Sequence, residues 1–283
     1  MGLPNTTQVK QLIGQALAED LGWGDATTEA LIPETQQGKA SIIAKGRGIV
    51  AGVEVAKQVF LKVDPELKMD ILIKDGTEVK SGDVIARIKG KTSSILKAER
   101  VALNFLQHLS GIASETARYV ESIKGLPVQI KDTRKTTPGL RILEKYAVQI
   151  GGGKNHRMHL GDGILIKDNH LAALSHEGLG IKEIVARARQ NASPKTKIEI
   201  EVKTTKEAIE AADAGADIIM LDNMNLEDMR QTVQLIKGRA LIEASGGINL
   251  ERVRAVAETG VDFISIGALT HSSKALDISL ELD

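Results

Sequence analysis

The spacing of hydrophobic residues divides the chain into an N-terminal mixed region and a C-terminal repeating region. Near the N-terminus, apolar residues from Val9 to Leu17 fall on one face at helical spacing. This pattern predicts an amphipathic helix that ends at the stretch Gly22-Trp23-Gly24-Asp25.

Between Lys39 and Ile88 the helical spacing gives way to short β-branched runs interrupted by glycines. Asp75-Gly76 and Ser81-Gly82-Asp83 are turn signals between such runs, which predicts a mostly antiparallel sheet. Ser94 then resembles the N-cap of a long helix, which we expect to be interrupted near Gly111 and to resume as far as Lys124.

After Gly125, apolar runs alternate with helix-like segments, which is typical of βα units. The runs are Val128–Ile130, Ile164–Ile166, Ile198–Val202, Ile218–Leu221, Ala240–Ile242 and Phe263–Ile266. Acidic residues recur at intervals of 21 residues at Glu201, Asp222 and Glu243. The pattern predicts a parallel (β/α) barrel or wound sheet with about six units, fewer than the eight of a closed barrel.

Polar residues follow these runs at the strand ends, where parallel α/β folds place their ligand sites. Three segments carry most of them: Asp132–Gly139, Gly151–Arg157 and Leu165–His170. Among the cations in these segments, Arg134, Lys135, Arg157 and Lys167 lie at or just beyond strand ends, with His156 beside them. Such crowded cations repel one another unless an anion lies between them, so the segments predict a site for a small molecule with several negative charges.

Thr137-Pro138 resembles a helix start that would add N–H donors. The alternative for any single cation is a solvated salt bridge.

Two acids, Glu201 and Asp222, end successive predicted strands and should point over the same barrel mouth. They could hold a divalent metal, bind sugar hydroxyls or stabilise a developing carbocation. The alternative is a structural pairing with Lys167 or Lys203.

Small residues follow the two last predicted strands, namely Ser245, Gly246, Gly247, Gly267 and Ala268. Phosphate sites of barrels use these loops, because glycine lets backbone N–H groups approach a phosphate closely. Each glycine by itself is also compatible with an ordinary turn.

Three histidines, His156, His159 and His170, open a competing interpretation. If His156 to His159 were helical, two imidazoles would share one face, and Asp168 or His170 could complete a zinc site of a hydrolase. Arg157 and Lys167 argue against this site, because they would crowd a dication.

Composition limits the class of protein. The chain has 283 residues, with 37 basic and 37 acidic side chains, 2% aromatic residues and no cysteine. Zero net charge argues against a general nucleic-acid or membrane-surface binder, and the lack of cysteine excludes disulfides and thiolate chemistry. With no signal-peptide pattern and no bilayer-length apolar run, a cytoplasmic protein is expected.

Together these motifs resemble the quinolinate phosphoribosyltransferase family, and the resemblance runs from about Leu3 to the C-terminus. The residues that carry it are Glu19-Asp20, Asp25–Thr28, Glu99-Arg100, Leu103-Asn104, Asp132–Gly139, Glu144–Ala147, Gly151–Arg157, Leu165–His170, Glu199–Val202, Leu221–Asn223, Glu243–Gly247 and Gly267–His271. One departure is Met158-His159, because the family more usually has glycine at the second of these positions.

The resemblance implies an α/β fold in which an N-terminal open-faced α/β sandwich is joined to an incomplete (β/α) barrel. The expected domains are residues 1–111, completed by 271–283 with the chain's last helix, and a catalytic barrel over 112–270. The resemblance also implies a homodimer with shared active sites, in which Arg100 reaches the neighbouring subunit's site. A hexamer is the alternative assembly.

The reaction implied by the resemblance converts quinolinate and phosphoribosyl pyrophosphate (PRPP) into nicotinate mononucleotide, pyrophosphate and carbon dioxide. Arg100, Arg134, His156 and Arg157 are expected on the dicarboxylate, and Lys135 and Lys167 on both substrates. Glu201 and Asp222 are expected to meet the ribose hydroxyls and Mg²⁺. Ser245, Gly246, Gly247, Gly267 and Ala268 are expected to cradle the 5′-phosphate.

Other functions compete with this one. Within the class, they are a phosphoribosyltransferase for nicotinate or another ring acid, and a paralogue linked to metal transport. Outside it, the zinc hydrolase remains, as does an interaction module. The turns at Asp75-Gly76 and Gly82-Asp83 are similar to those of lipoyl-type carriers, but no lysine stands at a hairpin tip in the required context.

Overall fold

A computed structural model describes residues 7–176 and 178–283, and these form two compact units. The first unit contains the chain up to Ala117, Lys135–Gly152 and Ala268–Asp283, and the second contains Arg118–Arg134 and Gly153–Gly267. Leu3, where the resemblance begins, lies outside the described residues. The domain boundaries expected from the sequence stay a prediction.

The first unit mixes helices with antiparallel strands. Its elements are α1 (Thr7–Leu21), α2 (Ala26–Leu31), β1 (Gln37–Ala44), β2 (Gly48–Ile49), α3 (Val53–Val63), β3 (Lys68–Ile71), β4 (Glu78–Val79), β5 (Val84–Lys91), α4 (Thr92–Ser122, ending in the second unit), α5 (Arg141–Ile150), α11 (Ala268–His271) and β12 (Ile278–Leu282). The helix predicted over Val9–Leu17 is confirmed as α1.

The main sheet of the first unit has the order β12-β1-β5-β3, and every neighbouring pair in it is antiparallel. Along β1, Ala40, Ile42 and Ala44 are buried while the residues between them are more exposed. This confirms the predicted antiparallel sheet. The expected last helix is wrong, because Ile278–Leu282 pairs with β1 as an edge strand.

One helix inside the predicted strand region was missed. α3 contains several β-branched residues, but Val53, Ala56 and Phe60 repeat at helical spacing and are buried. Its start is capped from a distance, since the Asp75 carboxylate accepts the backbone N–H groups of Gly52 and Val53 at 2.9 and 3.0 Å. A cap 22 residues away cannot be found by local pattern.

The long helix α4 runs unbroken through Gly111, so the predicted interruption is wrong. A Cβ at Gly111 would lie 2.2 Å from the Lys274 carbonyl oxygen, so glycine is needed there for close packing against the C-terminal segment. The Gln107 side chain also donates to the Ile278 carbonyl at 2.6 Å. Among the described helices, including this one of 31 residues, none has the length and apolar composition to cross a membrane.

The second unit is the predicted alternation of strands and helices. Its elements are β6 (Gln129–Lys131), a 3₁₀ turn (Leu160–Asp162), β7 (Ile164–Ile166), α6 (Asp168–Ser175), α7 (Ile181–Asn191), β8 (Ile198–Val202), α8 (Thr205–Asp213), β9 (Ile218–Asp222), α9 (Leu226–Ile236), β10 (Leu241–Ser245), α10 (Val253–Ala257) and β11 (Phe263–Ser265).

Six strands of the described chain form one parallel sheet in the order β6-β11-β10-β9-β8-β7. The order ends on β6 and β7, so the sheet is an incomplete barrel, as predicted. A parallel bridge from Lys131 to Lys154 extends the β6 edge.

The two faces of this parallel sheet differ in chemistry. The outer face is apolar and buried, with Ile198, Ile200, Val202, Ile219, Leu221, Ile242, Ala244 and Ile264. The alternate positions form the inner face and include Glu199, Glu201, Glu243, Ser265 and Lys131. Barrel interiors are ordinarily filled by branched apolar residues, so acids on this face point to a chemical use.

Candidate active site

The carboxyl ends of the central strands bring the predicted acids onto one edge. Ser245 of β10 is in register with Asp222 of β9 on one side and with Ser265 of β11 on the other. Glu201 lies one position before the end of the adjacent strand β8, on the same inner face. The structure therefore gathers Glu201, Asp222 and Ser245 at one edge of the sheet, as predicted from their strand-end positions.

Lys167 connects this acidic edge to the third predicted segment. It follows β7 directly and precedes α6, and its Nζ lies 3.4 Å from Glu201 Oε2. Its backbone N–H donates to His170 Nδ1 at 2.9 Å, which fixes the start of α6. The Lys167 side chain remains 46% exposed while Glu201 is 11% exposed, so the cation stands at the opening and the acid lies beneath it.

The first and second predicted segments are joined through Asp132, which is fully buried just after β6. Its carboxylate accepts the His156 backbone N–H at 2.7 Å, and its own N–H donates to the Lys154 carbonyl at 3.1 Å. Lys154 N–H donates in turn to Ile130 O at 2.8 Å. These bonds hold residues 154–156 along the open edge of the sheet.

Arg157 and Arg134 form the crowded cationic part of the site. Burial, together with the nearby Arg134 charge, lowers the pKa of Arg157, while Glu199 and Asp162 act in the opposite direction. The Arg157 guanidinium donates to the Gly163 carbonyl at 3.1 Å, next to the start of β7. Two guanidiniums close enough to repel and partly desolvated are an arrangement that an anionic ligand would stabilise.

A cavity of about 170 Å³ lies beside Arg157. His156 and Glu199 also line it, as do Ile164, Lys197 and Ile218, which mark the amino ends of β7, β8 and β9. Lys131, the last residue of β6, lines the cavity as well, so the cavity extends from the amino ends of these three strands to the carboxyl end of β6.

The loops after the strands contain a residue that the sequence reasoning did not select. Asn223 follows Asp222 with a left-handed backbone (φ 54°), and its side chain donates to Asp222 Oδ1 at 3.0 Å. A Cβ at Gly246 would lie within the contact distance of the Asn223 amide, so this glycine is needed for the close approach of the two loops. Asn223, Gly246 and Gly247 all have positive φ values and lie near Asp222. The local sequence does not reveal this arrangement.

The zinc site considered from the histidines is not formed. Residues 155–159 are not helical, and His159 is 68% exposed and pairs with Asp162 at 3.0 Å. The Nδ1 atom of His170 accepts the backbone N–H of Lys167. Within the described residues, His156 is close enough to share a metal only with Glu199 and Glu243, which the hypothesis did not include.

Three predicted site residues, Arg100, Lys135 and Ala268, belong to the first unit. Arg100 is exposed on α4, and Lys135 is exposed with its carbonyl accepting the Thr270 hydroxyl at 2.7 Å. Ala268 is the first residue of α11.

The predicted helix start at Thr137-Pro138 is wrong, because α5 begins at Arg141. Thr137 instead opens a turn that Leu140 N–H closes at 3.0 Å, and its own N–H donates to Glu144 Oε2 at 3.1 Å. The turn is compatible with Gly139 at φ 82°, which would be strained for other residues in a helix start. This N–H is therefore taken by the protein.

Comparison with known proteins identifies the family of this chain. Residues 112–281 match the family model described as quinolinate phosphoribosyl transferase, C-terminal domain, and residues 25–110 match its N-terminal domain. A relative from Bacillus subtilis, named a probable carboxylating nicotinate-nucleotide pyrophosphorylase, is 45% identical over 98% of this chain and 94% of its own length. A Nicotiana glauca quinolinate phosphoribosyltransferase is 43% identical over 98% of this chain and 83% of its own length.

Solved structures give the same result for the fold. The crystal structure of NadC from Streptococcus pyogenes superposes with a TM-score of 0.93 at 45% identity, covering 98% of this chain and 96% of that one. The nicotinate-nucleotide pyrophosphorylase of Francisella tularensis superposes with a TM-score of 0.92 at 39% identity, covering 98% and 96%. Matches to both domains of one family and relatives of this identity along nearly the whole chain show that this protein belongs to the quinolinate phosphoribosyltransferase family.

Proposed function

We propose that the protein transfers the phosphoribosyl group of PRPP to the ring nitrogen of quinolinate and releases carbon dioxide. The products are nicotinate mononucleotide and pyrophosphate, as in the de novo synthesis of NAD. The observation that carries the proposal is the arginine pair Arg134 and Arg157, crowded and partly buried in the same unit as the acids Glu201 and Asp222. Cations for a dicarboxylate and acids for a sugar cation are the two halves that this reaction requires.

The dicarboxylate is assigned to Arg134, Arg157 and Lys167, with Arg100 supplied by the neighbouring subunit. Guanidinium groups match carboxylates through paired N–H bonds, whereas Lys167 acts as a mobile point charge. Partial desolvation of Arg157 strengthens its attraction for an anion. The predicted contact of His156 with the substrate stays a prediction.

PRPP is assigned to groups that suit its two ends. Lys135 and Lys167 bind the pyrophosphate, whose departure leaves positive charge on the sugar. The 5′-phosphate lies against Ser245, Gly246, Gly247, Gly267 and Ala268. Gly246 and Gly247 have positive φ values, an arrangement that lets successive N–H groups face a phosphate.

Glu201 and Asp222 stabilise the positive charge that develops at the anomeric carbon, since carboxylates on adjacent strands face the place where this charge appears. Their oxygen donors and partial exposure also fit Mg²⁺, which binds through one or two carboxylates and substrate phosphates. Bound Mg²⁺ would neutralise the charge of the leaving pyrophosphate.

Decarboxylation follows sugar transfer. The new C–N bond makes the ring nitrogen quaternary and positive, so it stabilises the electron pair left at C2 when the C2 carboxylate leaves as carbon dioxide. A proton from solvent then takes this electron pair. The protein has only to hold the ring and desolvate the departing carboxylate, and no residue acts as a nucleophile.

The test compares quinolinate with nicotinate as substrates for the purified protein in the presence of PRPP and Mg²⁺. We expect nicotinate mononucleotide and one carbon dioxide per turnover with quinolinate, and little product with nicotinate. Equal or faster turnover of nicotinate without carbon dioxide release would overturn the assignment in favour of a related phosphoribosyltransferase.

A homodimer with shared active sites is part of the proposal, and a hexamer of such dimers is the alternative assembly. The test mixes Arg100→Ala chains with Lys167→Ala chains, each of which is expected to be nearly inactive. If Arg100 serves the neighbouring site, random pairing restores about a quarter of wild-type activity, because half the dimers are mixed and each has one intact site. No recovery in dimers verified as mixed would refute sharing.

We further propose a cytoplasmic location. Both substrates are highly charged small molecules, and such charges cross a bilayer only at great cost.

A further inference from the structure

A buried cluster of three titratable side chains lies on the inner face of the parallel sheet. It consists of His156, Glu199 and Glu243. His156 Nε2 lies 3.1 Å from Glu199 Oε2 and 3.5 Å from Glu243 Oε1. The His156 side chain is 9% exposed, and Glu243 is fully buried. Two carboxylates in such a place are costly unless their arrangement has a use.

The two ring nitrogens of His156 lie close to different groups. Its Nδ1 accepts the backbone N–H of Arg157 at 2.8 Å. An imidazole nitrogen that accepts a hydrogen bond carries no proton, so the ring proton lies on Nε2, which faces the two carboxylates. The charge of the nearby carboxylates favours this tautomer, in which Nδ1 accepts from the Arg157 N–H.

The carboxylates are themselves held in place. Glu243 accepts from Lys131 Nζ at 2.7 Å and from the Ser265 hydroxyl. Lys131 in turn lies over the Phe263 ring, 3.5 Å from its centroid. Burial raises the pKa of Glu243, and the adjacent Glu199 charge acts in the same direction.

Arg157 is therefore fixed at both ends. His156 holds its backbone N–H, and Gly163 O accepts from its guanidinium at 3.1 Å. The chain of contacts leads from Glu243 and Glu199 through the His156 ring to Arg157, and all of these residues belong to the second unit.

The same three side chains could also be considered as metal ligands, since their ligand atoms lie within 4.8 Å of one another. Lys131 argues against this use, because its ammonium already neutralises Glu243 from 2.7 Å. A dication placed beside that ammonium and near Arg157 would meet strong repulsion in a buried environment. The cluster is better suited to orienting a neighbour than to binding an ion.

We propose that His156, Glu199 and Glu243 are positioning residues, which orient Arg157 toward a carboxylate of the dicarboxylate substrate and do not contact the substrate themselves. This inference rests on the proposed function, since it concerns how quinolinate is held. Outer partners of this kind typically change affinity or activity by about 10–100-fold when replaced.

The first test measures steady-state kinetics and thermal stability of Glu199→Gln and Glu243→Gln, which keep the shape of the side chain. We expect the KM for quinolinate to rise by about tenfold, while the KM for PRPP changes little. The matched control is Glu227→Gln, the same replacement at an exposed position of α9 in the same unit, which should behave as wild type. A fall in melting temperature with both KM values unchanged would show a purely structural role and overturn the proposal.

The second test separates positioning by His156 from direct contact. His156→Asn keeps an acceptor near the position of Nδ1, whereas His156→Gln keeps a polar atom near the position of Nε2. Positioning predicts that the Asn variant retains a lower KM for quinolinate than the Gln variant. The reverse order would mean that Nε2 itself serves the substrate.

The third test asks whether the cluster acts through Arg157. In an Arg157→Ala background, Glu243→Gln should raise the KM for quinolinate no further, because the residue that it orients is gone. Full additivity of the two changes would refute the route through Arg157. Lack of quinolinate turnover by the wild-type protein would instead refute the proposed function, so the two failures are distinguishable.

Discussion

The two sheets of this protein use the alternation of side chains for opposite purposes. In the antiparallel sheet of the first unit, alternate residues of β1 such as Ala40 and Ile42 are buried, and those between them are more exposed. In the parallel sheet of the second unit, the outer face is the apolar one, and the inner face contains acids and Lys131. In the antiparallel sheet, the alternation supplies one buried face for the core. In the parallel sheet, the outer face supplies the core and the inner face supplies the site.

This difference shows that the protein tolerates the desolvation of charged groups on the inner face of the parallel sheet. Glu199 and Glu243 are buried in a barrel interior, where apolar residues would fill the space without desolvating any charge. Their presence beside Arg157 and below Glu201 indicates that the inner face is organised for anionic and cationic chemistry. We therefore expect substitutions on the apolar buried faces to change stability, and substitutions on the inner face of the parallel sheet to change the reaction.

The largest effect is expected at the opening of the inner face. Lys167→Ala removes the cation that lies 3.4 Å from Glu201, and turnover should fall by about 10²–10³-fold without unfolding, as for other losses of charge stabilisation. Single-turnover kinetics measure the loss of turnover, and a thermal melt shows whether the variant is still folded. Lys206→Ala on α8, at a lysine 88% exposed, is the control and should keep wild-type turnover. Near-wild-type turnover of the Lys167 variant would remove it from the reaction.

A smaller effect, and one on stability alone, is expected in the first unit. Gly111→Ala should destabilise the protein by about 1–3 kcal/mol, because its Cβ would meet the Lys274 carbonyl at 2.2 Å and backbone must move. Chemical denaturation of the variant and of the wild-type protein measures this difference in the free energy of unfolding.

The matched control for that change is Gly14→Ala in the middle of α1, where no atom lies within 4 Å of the new Cβ. Alanine is the better helix former there, so this variant should gain about 0.5–1 kcal/mol. Equal stability changes at the two glycines would show that packing of the C-terminal segment does not decide the first.

The smallest effect concerns the amino edge of the parallel sheet, where a charge serves stability. Burial by itself raises the pKa of Asp217, but the Ile198 N–H at 2.8 Å and Arg189 at 2.7 Å outweigh it and hold the pKa below its ordinary value. A lowered pKa stabilises the fold above the unfolded value, and this contribution disappears as the pH falls through the folded value.

Asp217→Asn should therefore cost about 1 kcal/mol at pH 7 and less at pH 3, which lies below the ordinary pKa of 3.8, with unchanged kinetics at pH 7. Denaturation midpoints across this pH range, compared with wild type, measure the effect. A loss that is equal at both pH values would attribute the effect to geometry and not to charge.

Local pattern was a good guide to the repeating half of the chain. Each predicted strand from Val128 to Ile266 is present, with its start within one residue and its end within three residues of the expected position. A parallel strand covered by helices is an apolar run of limited length, so its signal lies in consecutive residues. The acids at strand ends could be assigned to one edge for the same reason, because all carboxyl ends of a parallel sheet meet there.

Local pattern failed where a distant contact decides the conformation. α3 depends on a cap from Asp75, the continuity of α4 depends on the segment at Lys274, and the last strand exists because β1 offers an edge. Thr137 begins a turn, with its N–H taken by Glu144, although its neighbours resemble a helix start. None of these partners is near in sequence.

The sequence by itself determined the fold class and the order of the βα units, because both follow from the periodicity of apolar residues, which is a local property. It also placed a group of charged residues at the predicted strand ends, and the resemblance to the family implied their roles in a phosphoribosyl transfer. Only the tertiary structure decided which way the His156 ring faces, how Arg157 is held and that Glu199 and Glu243 lie behind them. The reason is that hydrogen-bond partners and burial depend on residues far apart in the chain, and these meet only when the sheet has formed.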